Sequence, residues 1–185
     1  MTQTQYFVAA SVDGYIADAQ GRLDWLTPFD SAAGIREHYE RFLTGVGALV
    51  MGSRTYELLL NHAGPWPYAD RPTFVFTRRA LPRVAAADIR FVEGAVADVH
   101  PALLAASGDK QLWLVGGGEL AGQFVRCGLV DELWLSVIPV VLGAGAPVFG
   151  AFGAVHVALS LGELTRFGGG VVELRYRFER AAVGG

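Results

Sequence analysis

Apolar residues fall along this chain in short solid runs separated by stretches with helical spacing. Tyr6–Val12 (YFVAASV), Ala48–Met51 (ALVM), Pro72–Thr77 (PTFVFT), Ile89–Val92 (IRFV), the LWLV that starts at Leu112, and Leu129–Ile138 (LVDELWLSVI) are the solid runs. Runs of this length without alternation predict strands covered on both faces, as in a parallel sheet. Between them, Ile35, Tyr39, Phe42, Leu43 and Val46 recur on one helical face. They predict a helix over Ser31–Val46 whose charges (Arg36, Glu37, Glu40, Arg41) are solvated. Ser53–Leu60 predicts a second helix with Ser53 as its cap. Asp98–Ala106 predicts a third, with Pro101 tolerated only near its start. The stretch holding Leu120, Phe124 and Val125 predicts a fourth, ended by Gly128.

Two regions break this rhythm. Leu174, Tyr176 and Phe178 alternate with Arg175, Arg177 and Glu179, as in a strand with one wet face. With Val155–Leu161 and the turn Arg166–Gly170 they predict a C-terminal antiparallel hairpin. Pro139–Gly150 (PVVLGAGAPVFG) reads as an irregular loop, yet its polar content is very low. Protein, another subunit or a flat ligand must cover it. Tyr15–Ala17 extends beyond an Asp13-Gly14 turn, and Gly21–Pro28 is a loop in which Trp25 packs a core edge or meets a ligand. The alternation of strands and helices gives an α/β fold with a mostly parallel central sheet flanked by helices.

Composition narrows the picture. The chain has 185 residues and is 52% hydrophobic. That suits one domain over residues 1–180 with a short tail, 181–185. The net charge is −3 and the basic residues are dispersed, so neither nucleic acid nor an anionic membrane is an expected partner. No apolar run reaches ~18 residues, so no membrane span is expected. With no signal peptide visible, the cytoplasm is the expected location. The single cysteine, Cys127, excludes an internal disulfide and a multi-cysteine zinc site; its place in an apolar helix predicts burial.

Candidate chemistry gathers where strands end. Gly116, Gly117 and Gly118 follow a strand and open a helix, so the backbone can approach a ligand and free N–H groups favour an anion. The same glycines would also serve close packing of helix on sheet. Gly116-x-Gly118-x-x-Ala121 fits a dinucleotide pattern, but the acid expected about 20 residues later is missing, which excludes the standard Rossmann reading. Gly52 precedes the second helix, and Arg54 in its first turn opposes the helix dipole unless an anion is bound. Thr77-Arg78-Arg79 ends a third strand; its arginines would neutralise a phosphate or simply solubilise the surface. His62, on a loop, is either catalytic or only solvated. In an open α/β sheet ligands bind beyond the carboxyl ends of the strands. Phosphate-friendly residues at three such ends suit a ligand with several phosphates, NADPH better than NADH.

The ordered set VAASVDGYIA (Val8–Ala17), LVMGSRTYE (Leu49–Glu57), VFTRR (Val75–Arg79), LVGGGEL (Leu114–Leu120) and LVDELWLSVIPVVLGAGAPVF (Leu129–Phe149) resembles the dihydrofolate reductase-like superfamily. It is most similar to the reductase domain of riboflavin biosynthesis and its stand-alone bacterial relatives. The resemblance implies NADPH as cofactor, hydride transfer to a pyrimidine- or pterin-like heterocycle, and a homodimer. By position, Ala10 and Ile16 flank the nicotinamide. Gly52, Ser53, Arg54 and Thr55 hold phosphate and ribose, and Thr77 and Arg78 take the 2′-phosphate side. Val115, Gly117, Gly118, Glu119 and Leu120 surround the pyrophosphate, while Asp13, Trp25, Leu142 and Gly143 line the substrate side. Asp13 is then the first candidate for the proton donor. The H-x-E and P-C-x-x-C elements of the deaminase chemistry are absent. Neither Asp30 nor Glu37 matches the acid that dihydrofolate reductases carry on their first helix. A reductase of another carbonyl or imine compound, or a non-catalytic nucleotide-binding oligomer, are the alternative readings.

Overall fold

In a computed structural model, residues 3–61, 64–151, 153 and 156–179 are described. His62 and the tail 181–185 lie outside them. The chain runs β1 (Thr4–Ser11), β2 (Tyr15–Asp18), α1 (Ile35–Thr44), β3 (Val46–Gly52), α2 (Ser53–Leu60), β4 (Thr73–Phe76), β5 (Ile89–Val92), α3 (Val96–Ser107), β6 (Gln111–Gly116), α4 (Gly118–Arg126), β7 (Glu132–Ile138), β8 (Gly145–Pro147), β9 (Leu159–Arg166) and β10 (Val172–Phe178). Eight strands form one sheet in the order β5-β4-β3-β6-β1-β7-β10-β9. The six from β5 to β7 are parallel, and β10 is antiparallel to both its neighbours. β6, α4 and β7 form the expected βαβ unit, but β1 lies between its two strands.

The solid apolar runs are explained by a core on each side of the sheet. In β3, Ala48 and Val50 join Leu103, Leu120 and Phe124 of α3 and α4. Leu49 and Met51 point the other way, to Phe42 and Tyr56 of α1 and α2. Alternate residues of one strand are thus all buried, and the sequence shows no polar alternation.

Element boundaries moved where backbone geometry overrode periodicity. α1 begins only at Ile35, because Gly34 is left-handed (φ 86°), and ends at Gly45. Val46 therefore opens β3 and is 2% exposed instead of closing the helix. Ser53 is the first helical residue of α2, not its cap; Gly52 stands at the cap and no side chain bonds there. α3 starts earlier, at Val96, so Pro101 lies inside it, leaving the Ala97 carbonyl without its helical N–H partner. α4 closes as expected: Gly128 has φ 65°, its N–H reaches the Val125 carbonyl, and the Leu129 N–H reaches that of Phe124. This is a Schellman ending. Cys127, just before it, is exposed, because the helix turns that position away from the sheet.

The apolar loop after β7 is ordered by a second, two-stranded sheet in which β8 pairs antiparallel with β2. The Tyr6 hydroxyl, from inside the core, donates to the Val148 carbonyl at 2.8 Å. The hairpin also shifts: its first strand is β9, and its turn is a 3₁₀ segment over Gly168–Gly170. Among the described residues, no helix is long and apolar enough to cross a membrane.

Candidate active site

β3 and β6 lie side by side, with Met51 opposite Gly116, so the turns that leave their carboxyl ends also meet. Gly52 and Gly117 are the N-caps of α2 and α4, and both are extended with no side-chain cap. Each helix therefore presents the free N–H groups of its first turn beside those of the other, a concentration of partial positive charge. A methyl group built at Gly117 would lie 3.7 Å from Thr55 Oγ1; the first turn of α2 thus stands directly against the glycine turn of α4. Arg54 is exposed at the same place, and its charge adds to the Arg79 hydrogen bond that chiefly lowers the pKa of Glu57.

Both turns open on one cleft of about 1540 Å³. Ile16 and Ala17 of β2 and Gly145–Pro147 of β8 form one wall, and His38 and Tyr39 of α1 another. Phe7, Ala9, Trp113 and Ser136 of the sheet floor it. The glycines serve packing as well as access. A Cβ at Gly118 would collide with the Pro147 carbonyl, and one at Gly122 would reach the Gly150 carbonyl.

Of the residues singled out from sequence, Ile16, Gly52, Ser53, Arg54, Thr55, Val115, Gly117, Gly118, Glu119 and Leu120 are gathered around this cleft. Thr77 and Arg78 lie outside its lining, beyond the end of β4, the next strand out. There Thr77 Oγ1 accepts from the Arg79 N–H at 2.9 Å, and Arg79 is held by Glu57 at 2.7 Å. Arg78 is exposed. The Ala10 side chain is 1% exposed and packs in the core, while Ala9 fronts the cleft. Trp25 is half-buried, and its Nε1 is shielded without a hydrogen-bond partner among the described residues.

Asp13 stands elsewhere. Its carboxylate accepts from the amides of Leu142 (3.1 Å) and Gly143 (2.7 Å). The Ser11 hydroxyl first, then the Leu142 amide, holds its pKa at about 2, below the usual 3.8. An acid this strong is ionised near neutrality and has no proton to give. Asp13, Leu142 and Gly143 form a tie between the β1–β2 turn and the loop after β7, in place of a substrate wall. The folded-state pKa is depressed, so the tie stabilises the protein above pH 4 and is lost as pH falls through about 2. Thermal melts should show a gap between wild type and Asp13→Asn that closes as pH drops across this window. A gap independent of pH would show that the carboxylate charge does not hold the loop.

Ala9, His38 and Ser136 of the cleft, and Glu173 buried behind them, were not legible beforehand. Ala9, Ser136 and Glu173 are successive partners across β1, β7 and β10. His38 of α1 sits above this row, its Nε2 2.9 Å from Glu173 Oε2. Glu173 is 0% exposed. Its other oxygen accepts from Arg175 Nε at 2.9 Å, and Arg175 also pairs with Glu163 at 2.8 Å. The alternation along β10 places Glu173 on the face read as wet, which α1 covers at this point. Helical spacing would have put His38 next to Phe42 on the inward side of α1, a signal present in the sequence and not used.

A mostly parallel α/β sheet with its ligand-facing turns at the carboxyl ends and an antiparallel C-terminal hairpin defines the dihydrofolate reductase-like fold. Dihydrofolate reductase from Enterococcus faecalis, solved with NADP(H) bound, matches 96% of this chain and 97% of its own at 16% identity and a TM-score of 0.59, a likeness of fold alone. A Shewanella sp. PV-4 protein named for riboflavin biosynthesis matches over 97% of this chain and all (100%) of its own, at 28% identity and a TM-score of 0.83. Residues 61–173 match the RibD C-terminal domain. The uncharacterized protein YwjB of Bacillus subtilis (strain 168) is 34% identical over 148 residues, 80% of this chain and 82% of YwjB. The chain belongs to the RibD C-terminal domain family.

Proposed function

We propose that this protein is an NADPH-dependent reductase of a small, flat pyrimidine- or pterin-like heterocycle, acting in the cytoplasm. The observation that carries the reading is the pair of uncapped helix N-termini abutting at the carboxyl ends of adjacent parallel strands, with Arg54 beside them. That arrangement suits a pyrophosphate. The residues present fit a dinucleotide: Gly52–Thr55 and Gly117–Leu120 offer amides and hydroxyls to phosphates. Ile16 and Ala17 offer an apolar wall to the nicotinamide. The hydride is the chemistry NADPH supplies when bound. The chain orients two rings against each other in the cleft that the β2–β8 ribbon walls on one side. Tyr39, Phe7 and Trp113 line the far end and suit a flat ring better than a small aliphatic carbonyl compound.

A titration with NADPH and NADH, followed by quenching of the four tryptophans, tests the reading; binding of neither would sink it. NADPH is expected to bind more tightly. Arg78, exposed beyond the end of β4 and outside the cleft lining, is the residue proposed to meet the 2′-phosphate. Arg78→Ala should narrow the preference by about 1.5–3 kcal/mol, the worth of a hydrogen bond to a charged group. Equal weakening of both cofactors would show that Arg78 does not read the 2′-phosphate.

The same reading includes a homodimer. β9 is an edge strand whose Leu161 and Leu164 are 53% and 51% exposed. An open edge carrying apolar side chains invites pairing with another chain. Light scattering should give twice the chain mass, falling to a single chain in a Leu161→Lys, Leu164→Lys variant. A monomeric wild type would remove this part of the proposal.

A further inference from the structure

His38 and Ser136 line the cleft, with Glu173 buried behind them, and cofactor binding as read above leaves this polar cluster unused. We propose that His38 donates the proton that completes reduction of a ring C=N bond, and that Glu173 positions it. The proposal rests on the reductase reading above. It names the proton donor and the bond reduced.

The geometry is that of a held acid. His38 Nε2 is fixed on Glu173 at 2.9 Å, and Nδ1 has no hydrogen-bond partner among the described residues. The ring is clamped by Phe167, Trp134 and Phe7, at centroid distances of 5.0, 6.0 and 6.1 Å. Its side chain is only 11% exposed, and that remaining surface belongs to the cleft wall. Ser136, 3.4 Å from Glu173, lies on the same floor.

Charge completes the argument. Facing His38 from β10 are Glu173 and Arg175, and behind Arg175 stands Glu163 of β9. β7 offers the Ser136 hydroxyl, the Trp134 ring and, beyond it, Glu132, which accepts from Trp134 Nε1 at 3.0 Å; the Arg175 guanidinium stacks 3.6 Å over that ring. Arg41, one turn further along α1, is exposed. Two carboxylates therefore share a single arginine. Glu163 is 55% exposed, so Glu173 is the one of the two that is buried against His38.

In the step, the ring carbon gains a hydride from the reduced nicotinamide. The C=N π pair moves onto nitrogen, and that nitrogen takes the proton from His38 Nδ1. The products are a CH–NH unit, oxidised nicotinamide and neutral His38, which regains a proton from water.

The test uses the full chain with NADPH or NADP⁺ and 7,8-dihydropterin as a ring C=N probe. Nitrogen-detected titration of the histidine rings, with His38 assigned by its loss in His38→Gln, should show a His38 midpoint that moves when the probe joins NADP⁺. With NADPH, His38→Gln should lower turnover about a hundredfold. It should also erase the alkaline limb of the pH profile while leaving NADPH binding, read by tryptophan quenching, unchanged. Glu173→Gln should shift the His38 midpoint and lower kcat with little change in KM. Wild-type NADPH binding with an unmoved His38 midpoint, no turnover of the probe, or a pH profile shared by wild type and His38→Gln would overturn the proton-donor role and leave the cofactor reading standing. Failure of wild type to bind NADPH would overturn the reductase reading itself.

Discussion

Gly118→Ala is expected to cost about 3 kcal/mol of stability, the upper end of what forcing atoms into a packed interior costs. In a chain of this size that lowers the melting temperature by roughly 10 °C. The cause is backbone meeting backbone: the new methyl would collide with the Pro147 carbonyl. Neither side yields cheaply. The Gly118 carbonyl accepts the Gly150 N–H at 2.7 Å, and Pro147 belongs to β8, paired with Tyr15 of β2. Relief requires the start of α4 to move away from the ribbon. The same shift would pull the free N–H groups of α4 out of line with those of α2. The variant should therefore lose nucleotide binding along with stability. Calorimetry and the NADPH titration read the two effects separately. A variant that melts like wild type would show that α4 is not seated against Pro147.

Glu173→Ala should be at least as severe, at about 3–5 kcal/mol, the range for removing one partner of a buried ion pair. Glu173 is 0% exposed and bridges His38 and Arg175. Its removal leaves Arg175, 26% exposed, with Glu163 alone, and leaves His38 Nε2 without its acceptor beneath the Phe167 ring. Glu173→Gln keeps the volume and one acceptor oxygen, for one of the two partners, and should cost less, about 1–2 kcal/mol. Denaturant unfolding of the two variants gives the comparison. Near-equal losses would mean that Glu173 acts by filling space and not by charge. A loss below about 1 kcal/mol in both, the worth of an exposed pair, would contradict its burial.

The depth of these effects follows from which features were written locally in the chain. The solid apolar runs, the helical spacing of Ile35 to Leu43, the left-handed Gly128 and the alternation in β10 each depend on neighbours a few residues away. The strands of the main sheet, its parallel class and the junctions at Gly52 and Gly116–Gly118 were therefore legible from sequence, whereas β8 was read as loop. The ordering of Pro139–Gly150 was half legible: its apolar content demanded a cover, but only the fold supplies β2 as the strand that pairs with it.

Other features exist only where distant segments meet. Asp13 reads as a turn residue beside a predicted ligand site, but the amides that occupy its carboxylate belong to Leu142 and Gly143. Glu173 reads as solvated because its alternate neighbours Arg175 and Arg177 are charged. α1 buries it from 135 residues away in sequence. Local periodicity records which face a residue is on; it does not record what covers that face. By itself the sequence determined the layers of this protein and the glycine junctions at the strand ends that open on the cleft. The tertiary structure decided the pairing of β2 with β8, the seat of α4 on Pro147 and the buried His38–Glu173 pair, because each requires contact between groups that the chain keeps far apart.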